Sequence, residues 1–217
     1  MKKIIIGIAA LLLLVSCGDK KPTLADIVVE EGEKIQILAL GDSITAGYNL
    51  PIDDAYPSQL EGLLGDDKYE IINGGVSGDT SIQLLNRLDL YIEDDENLPA
   101  LAIVTIGGND GLRGQSLEDL ENNIESIISK LKEKNIPIVI SGMRIPINLG
   151  FQYSRDFKSL YKNIAKNSDV YFFEHFLEDV QGVASLNLND RIHPNKQGYS
   201  IIAENMYEFL KDEKLVK

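Results

Sequence analysis

Residues 35–48 read IQILALGDSITAGY, in which a largely apolar run ends abruptly at a Gly-Asp-Ser turn. The run over residues 35–40 has little room for a solvent-facing side, so it predicts a strand that is buried on both faces. The segment from Ile44 onward is interpreted as the start of a helix. A buried strand that turns directly into a helix is the first unit of a parallel α/β fold.

The same alternation continues along the chain. Further strands are predicted at residues 69–73, 100–106, 136–141 and 170–173. The clearest helix is predicted at residues 116–135, where leucine and isoleucine recur at steps of three and four and Ser116 can cap the start. A last helix is predicted at residues 195–210. The pattern predicts one α/β domain over residues 35–217, a five-stranded parallel sheet between two helical layers, with ligands bound at the carboxyl ends of the strands.

Composition and charge limit the possible partners. The chain has 217 residues, of which 44% are apolar and 25% charged, and its formal net charge is −13. This length supplies one sizeable core and is short for two domains. An acidic surface repels phosphate backbones, which argues against nucleic acid as a partner. The acidic clusters at residues 53–54 and 93–96 lack the spacing of a calcium loop, so no metal site is predicted.

The N-terminus predicts export and anchoring. Residues 1–16 hold two lysines followed by an apolar run that is too short to span a membrane, which indicates a signal peptide. The run ends in Leu-Val-Ser-Cys, which resembles the lipobox of bacterial lipoproteins, with Cys17 as the acylated residue. Residues 17–34 would then tether an extracytoplasmic domain to a membrane. The alternative is an ordinary signal peptide with an incidental cysteine.

Ser43 is the first candidate for chemistry. It directly follows the first predicted strand, so its hydroxyl is expected at the edge of the sheet where ligands bind. The N-terminus of the next helix would favour negative charge that develops there. A nucleophilic serine is one interpretation, and the other is that Asp42 or Ser43 merely caps the helix. This stretch alone does not decide between them.

A serine nucleophile needs a base, and the chain has two histidines. Asp190 precedes His193 by three residues, an offset at which a carboxylate in a turn can hold one ring nitrogen and leave the other for a serine. Pro194 keeps His193 extended and outside the last helix. The alternative is that Asp190 caps that helix and the histidine is idle. His175 lies in an apolar context and is interpreted as a packed or surface imidazole.

Two glycine-rich turns offer hydrogen-bond donors. Residues 73–80, NGGVSGDT, follow the second strand, and residues 106–110, IGGND, follow the third. Glycine lets a backbone N–H approach a ligand, and Asn109 adds a side-chain amide. Each turn alone is weak support, because glycine is common between a strand and a helix. Together with the serine and the histidine–aspartate pair, they provide what acyl transfer requires.

These blocks, in this order, resemble the SGNH or GDSL hydrolase family, and most of all its bacterial thioesterase, lysophospholipase and arylesterase branch. The resemblance rests on GDSITAGYNLP, AYPSQLE, INGGVSGDTS, GGNDGLRG, SGMRIP and DRIHPN. It implies a flavodoxin-like sheet with strand order 2-1-3-4-5 and no cofactor. The implied roles are nucleophile for Ser43, base for His193, its orienting partner for Asp190, and oxyanion donors from the N–H of Ser43, the N–H of Gly75 and the side chain of Asn109.

The loop after the fourth strand bears on the substrate. The apolar loop at residues 142–150 corresponds to a family loop that borders the acyl chain, although it could simply pack on the core. The predicted substrate contacts are Asp42, Ile145, Pro146 and Ile192. The resemblance implies short to medium acyl esters, thioesters or lysophospholipids as substrates. An acetyl esterase acting on glycans and a lipid-anchored protein that binds without turnover are the alternatives, and the sequence does not indicate an oligomeric state.

The chain departs from the family pattern at a few positions. Asn49 and Arg191 stand where this branch commonly has glycine, and His175 stands where an aromatic residue is common. None of the three is an implied catalytic position. The chain also lacks the Gly-x-Ser-x-Gly elbow of the α/β-hydrolases, which disfavours that other serine-esterase fold.

Overall fold

The fold is a five-stranded sheet packed between helices. The computed structural model describes residues 32–146, 149–174 and 176–216. The strands are β1 Ile35–Gly41, β2 Tyr69–Gly75, β3 Leu101–Thr105, β4 Ile138–Ser141 and β5 Tyr171–Phe173. The helices are α1 Ser43–Ala46, α2 Tyr56–Leu64, α3 Ser81–Arg87, α4 Asp89–Ile92, α5 Gly108–Leu112, α6 Leu117–Glu133, α7 Phe151–Asn167 and α8 Lys196–Asp212. Short 3₁₀ turns occur at Ile52–Asp54 and Ala184–Leu186.

The sheet has the predicted topology. Every neighbouring pair of strands is parallel, and the order is β2-β1-β3-β4-β5. Helix α2 packs against α8, while α3, α6 and α7 contact one another in series. The connection from β1 to β2 runs in one direction along the sheet, and the later connections run in the other. Because crossovers are right-handed, helices from opposite directions lie on opposite faces, so the two groups of helices cover the two sides of the sheet. The predicted α/β class, with its three-layer α/β/α architecture, is confirmed.

The predicted elements are present, with ends that shift by at most two residues. Ser116 caps α6 as predicted, since its Oγ accepts the N–H of Asp119 at 3.2 Å. Strand β4 begins at Ile138 and not at residue 136, because Pro137 has no N–H to give to a ladder. Strand β2 continues two residues beyond its predicted end, to Gly75, and this shift changes the assignment of one site residue.

The core is centred on the middle strands. Strand β3 is buried at all 5 of its positions. Helix α6 buries Leu120, Ile124, Ile127 and Leu131, the face that their spacing predicted. Burial of a leucine or isoleucine side chain contributes about 1.5–3 kcal/mol. Apolar burial therefore stabilises the packing of α6 on the sheet. Polar residues at the edge of the sheet are not needed for this packing.

The register of the strands brings three turns to one edge. Gly41 at the end of β1 pairs with Gly75 on β2 and with Thr105 on β3. A Cβ on Gly41 would lie 2.1 Å from Oγ1 of Thr45 and 2.6 Å from the carbonyl oxygen of Thr105, so only glycine fits there. The turns that follow β1, β2 and β3 hold the predicted nucleophile and donors. They consequently start side by side.

Some predictions fall outside the described residues. These are the signal peptide at residues 1–16, the acylated Cys17, most of the tether at residues 17–34, and His175. Within the ranges that the structure does describe, no helix is both long enough and apolar enough to cross a membrane.

Candidate active site

Ser43 is the first residue of α1, immediately beyond β1. The cap of this helix is its neighbour Asp42, whose Oδ1 accepts the N–H of Ile44 at 3.0 Å. Cap and candidate nucleophile are thus different residues, and the hydroxyl of Ser43 is available for another partner. At the first helical position the N–H of Ser43 has no acceptor within the helix, so it can serve a ligand.

The partner of that hydroxyl is His193. Its Nε2 lies 2.8 Å from Oγ of Ser43, across 150 residues of sequence. On the other side of the ring, Nδ1 lies 2.8 Å from Oδ2 of Asp190. With the ring proton on Nδ1, Nδ1 donates to the carboxylate and Nε2 accepts from the serine hydroxyl. The structure therefore brings the three predicted residues into one hydrogen-bonded line.

A tight turn fixes the carboxylate of Asp190. Its Oδ1 accepts the N–H of Ile192 at 2.9 Å and the N–H of His193 at 3.0 Å. Desolvation tends to raise the pKa of Asp190, but these two N–H groups and the His193 ring outweigh it and lower the pKa to about 2. Asp190 consequently stays ionised at ordinary pH and can hold the imidazole in one orientation.

The same turn holds Arg191 in a left-handed backbone conformation, and the cap of the following helix is not Asp190. Arg191 has a φ of 60°, in the left-handed region that favours glycine, which is the residue that the family pattern has here. Helix α8 is capped by Asn195, whose Oδ1 accepts the N–H of Gly198 at 3.0 Å. Asp190 is therefore not the cap of α8, and the interpretation of an idle histidine loses its basis.

Tyr48 was not predicted as a site residue. Its ring lies against the imidazole of His193, with ring centroids 4.4 Å apart and an interplanar angle of 35°. This contact covers one face of the imidazole and limits the ring rotations that would break the line to Ser43. The sequence signal was limited to an aromatic residue in the same motif as the serine.

Asn109 lies in α5, just beyond β3. One N–H of its amide is held by the carbonyl oxygen of Asp79 at 2.9 Å, and Oδ2 of Asp42 lies 3.5 Å from the same nitrogen. The amide nitrogen has two hydrogens: the bond to Asp79 fixes the direction of one, and the other, which has only the long 3.5 Å contact with Asp42, can be donated to an oxyanion beside the serine. Asn109 lines the same cleft as Ser43 and His193, as an oxyanion donor should.

Gly75 does not occupy the predicted donor position. Its N–H donates to Oδ1 of Asn73 at 3.0 Å, and the residue is not part of the cleft wall. Gly75 instead permits close packing, since a Cβ there would lie 2.2 Å from the nitrogen of Ala46. Strand β2 extends to Gly75, so the turn that follows it begins two residues later than predicted. Gly78, which lies in this turn, lines the cleft. Gly78 replaces Gly75 as the candidate backbone donor.

The cleft beside Ser43 has a volume of about 360 Å³. Of the predicted substrate contacts, Asp42 and Ile192 line it. The structure does not bring the other two to the cleft, because Ile145 is buried in the core and Pro146 is exposed elsewhere. Apolar walls come from Tyr48 and from Leu112, a residue that sequence reasoning did not select.

Asp42 is a second acidic group in the site, and only 2% of its surface is exposed. Desolvation raises the pKa of Asp42 to about 6, against the lowering effect of the Ile44 N–H and of His193. Asp42, which caps α1 and precedes Ser43, is therefore ionised only above mildly acidic pH. Among the described ranges, no group of three or more His, Cys, Asp or Glu side chains could hold a metal ion.

A serine, a histidine and an aspartate in line, at the carboxyl edge of a parallel sheet and beside amide donors, define a serine hydrolase type of site. Comparisons with known proteins agree with this class. The model of the GDSL-like lipase/acylhydrolase family matches residues 39–201. The chain belongs to this family, and the SGNH/GDSL resemblance is confirmed.

Two curated relatives and one solved structure illustrate the similarity. An arylesterase of Vibrio mimicus is 36% identical over 172 residues, which are 78% of this chain and 84% of that protein. The thioesterase 1/protease 1/lysophospholipase L1 of Escherichia coli K12 is 34% identical over 178 residues, 81% of this chain and 83% of that protein. The crystal structure of AlinE4, an SGNH-hydrolase family esterase, matches with a TM-score of 0.70 and 37% identity, over 84% of this chain and 98% of that one.

The raised pKa of Asp42 predicts a pH-dependent cost in stability. Folded Asp42 keeps its proton up to a pKa of about 6, whereas the unfolded chain loses it near 3.8. The folded state thus binds more protons in this window, so stability falls as pH rises through it. We expect Asp42→Asn, which can keep the cap, to gain about 3 kcal/mol in unfolding free energy relative to wild type between pH 3.5 and 8.

Urea unfolding from pH 3.5 to 8 measures this difference. Asp66→Asn, at an exposed position, is the matched control. Its unfolding free energy should differ from that of wild type by the same amount at every pH from 3.5 to 8. A difference between Asp42→Asn and wild type that does not change with pH would contradict the assignment.

Proposed function

We propose that the protein hydrolyses carboxylic esters through an acyl-enzyme on Ser43. The observation that carries the proposal is the line from Ser43 Oγ to His193 Nε2 and from His193 Nδ1 to Asp190, with 2.8 Å at both contacts. These distances are within hydrogen-bond reach for proton transfer from a nucleophile to a base, and for orientation of that base. A protein that only binds esters would have no need for this alignment.

The first half of the reaction acylates the serine. Ser43 Oγ attacks the ester carbonyl carbon while His193 Nε2 takes the hydroxyl proton, and the carbonyl π electrons move onto the oxygen. The ionised Asp190 stabilises the imidazolium that forms. When the tetrahedral intermediate collapses, the bond to the leaving oxygen or sulfur breaks, and His193 gives its proton to the departing alcohol or thiol.

The second half frees the acid. Water attacks the acyl-serine carbonyl, His193 removes one proton from that water, and collapse returns the proton to Ser43 Oγ. In both halves the negative oxygen needs preorganised donors. We assign this role to the N–H of Ser43, the N–H of Gly78 and the amide of Asn109, all of which belong to residues that line the cleft. No step calls for a cofactor.

The cleft supports acyl groups of short to medium length. Tyr48, Leu112 and Ile192 form its apolar walls and remain 38%, 42% and 50% exposed. Apolar walls suit an alkyl or aryl chain better than a sugar. The names of the relatives, an arylesterase and a thioesterase with lysophospholipase activity, are in line with such substrates. We therefore favour acyl esters, thioesters or lysophospholipids over acetylated glycans.

We further propose that the domain works outside the cytoplasm, held to a membrane by a lipid on Cys17. The support is the short apolar run that ends at the only cysteine, followed by a polar segment before Ile35. An anchored hydrolase of this kind would meet its esters at or near the membrane surface.

Chain-length preference tests the proposed reaction. We expect wild type to hydrolyse p-nitrophenyl esters with an optimum between butyrate and decanoate, because the open apolar walls favour longer chains than acetate. Ser43→Ala should lose turnover while it remains folded by circular dichroism. Ser126→Ala, at an exposed position of α6, is the matched control and should keep wild-type rates.

The outcomes separate the alternatives. A sharp preference for acetate would support the glycan acetyl esterase instead, and no hydrolysis of any ester would support a binding protein. Wild-type turnover by Ser43→Ala would remove the serine from the mechanism.

Labelling with an alkyne fatty acid tests the anchor. When the full chain is expressed in bacteria, we expect labelled protein in the membrane fraction, and unlabelled, unanchored protein for Cys17→Ser, because only a thiol accepts the lipid. Ser16→Ala is the control and should label like wild type. Wild-type protein that carries no label would contradict the anchor.

A further inference from the structure

A buried ion pair involves Asp79, the residue that follows Gly78 and contacts the Asn109 amide. Arg87, the last residue of α3, places its Nε 2.6 Å from Oδ2 of Asp79. The two side chains are only 15% and 8% exposed. Burial of an ion pair costs desolvation energy that the attraction between the charges only partly offsets, so its presence beside the site is not explained by stability alone.

Both terminal nitrogens of the guanidinium also donate hydrogen bonds. One terminal nitrogen of Arg87 donates to the carbonyl oxygens of Gly41 at 3.0 Å and Gly74 at 2.8 Å. The other terminal nitrogen donates to the hydroxyl of Tyr91 at 3.1 Å. Gly41 ends β1, two residues before the nucleophile, and Gly74 lies at the end of β2. One side chain therefore ties together the ends of two strands and the turn that carries Asp79.

That turn controls the direction of the Asn109 amide. The carbonyl oxygen of Asp79 accepts one N–H of Asn109 at 2.9 Å. Asp79 also follows Gly78 directly in the same turn, so the position of Asp79 constrains the backbone of Gly78 and, through it, the Gly78 N–H in the preceding Ser77–Gly78 peptide. A displacement of Asp79 would move both donors relative to Ser43, although neither donor touches Arg87.

We propose that Arg87 is a positioning residue for the oxyanion hole, and that it acts through Asp79 on Asn109 and Gly78. The proposal rests on the proposed ester hydrolysis. Its physical basis is the planar fork of arginine, which donates to a carboxylate and to two carbonyl oxygens at once in fixed directions. Lysine keeps the charge but cannot reproduce this set of contacts, so Arg87→Lys tests the geometry and not the charge.

The expected kinetic effect is on the chemical step. Misplacement of a group by about 1 Å can cost on the order of 100-fold in rate, and loss of one oxyanion donor costs roughly 100- to 1,000-fold in kcat. We expect Arg87→Lys to lower kcat by roughly 10- to 100-fold on p-nitrophenyl butyrate, with KM within about threefold of wild type. Arg155→Lys, where the arginine is 58% exposed in its pair with Asp156, is the control and should leave kcat unchanged.

A double-mutant cycle separates positioning from general damage. If Arg87 acts through Asn109, then Arg87→Lys should lower kcat by much less in an Asn109→Ala background than in wild type, because the donor it positions is already absent. The same fold-reduction in both backgrounds would overturn the proposal. Wild-type kcat for Arg87→Lys would overturn it as well.

Folding and the underlying reaction are checked independently. Circular dichroism and thermal unfolding establish that each variant is folded at the assay temperature. If Arg87→Lys does not fold, the cycle is run with Asp79→Asn, which weakens the same ion pair. Failure of both variants to fold would show that the pair has a structural role and would overturn the proposal. Hydrolysis by wild type that Ser43→Ala abolishes shows that the reaction itself stands, whatever the result for Arg87.

Discussion

The site depends on one contact, the hydrogen bond between Nε2 of His193 and Oγ of Ser43. It joins the first strand of the sheet to the turn before the last helix, across 150 residues of sequence. Both ends of the contact are set by backbone structure. Ser43 is placed by the end of β1 and the start of α1, and His193 by the turn that Asp190 closes with two backbone N–H groups. Any change that displaces either backbone would separate the nucleophile from its base.

Three buried acidic side chains interact electrostatically near the nucleophile, and each has hydrogen-bond or ion-pair partners. Asp42 accepts the backbone N–H of Ile44, and Asp79 pairs with Arg87. Asp110, 2% exposed, accepts the hydroxyl of Ser81 at 2.6 Å and its N–H at 2.9 Å. Buried acids are unfavourable unless they are hydrogen-bonded or paired. Three such groups in one place lower the free energy of unfolding, and burial of the apolar core offsets this cost.

The sequence predicted the fold and the three aligned residues because the information is local. Strand and helix patterns, together with the motif around Ser43 and the spacing of Asp190 and His193, each lie within short segments. Gly75 was misplaced because the pattern did not show that β2 extends two residues further, which moves the exposed N–H to Gly78. Tyr48 lies against His193 only because distant segments pack together. Arg87 is close to Asp79 in sequence, but its contact with Gly41 depends on packing of α3 against the end of β1, which the pattern does not show. Ile145 looked like a wall of the cleft, but its apolar side chain serves the core equally well.

The most direct test of the central claim is covalent labelling with a p-nitrophenyl alkylphosphonate, which mimics the tetrahedral transition state. The account predicts one phosphonyl group per chain by intact mass, located on Ser43 by peptide mapping, with one equivalent of p-nitrophenolate released. It also predicts that His193→Ala slows the reaction severely without moving the label. A phosphonyl group on any other residue, or a protein that hydrolyses esters but never becomes labelled on Ser43, would contradict the account.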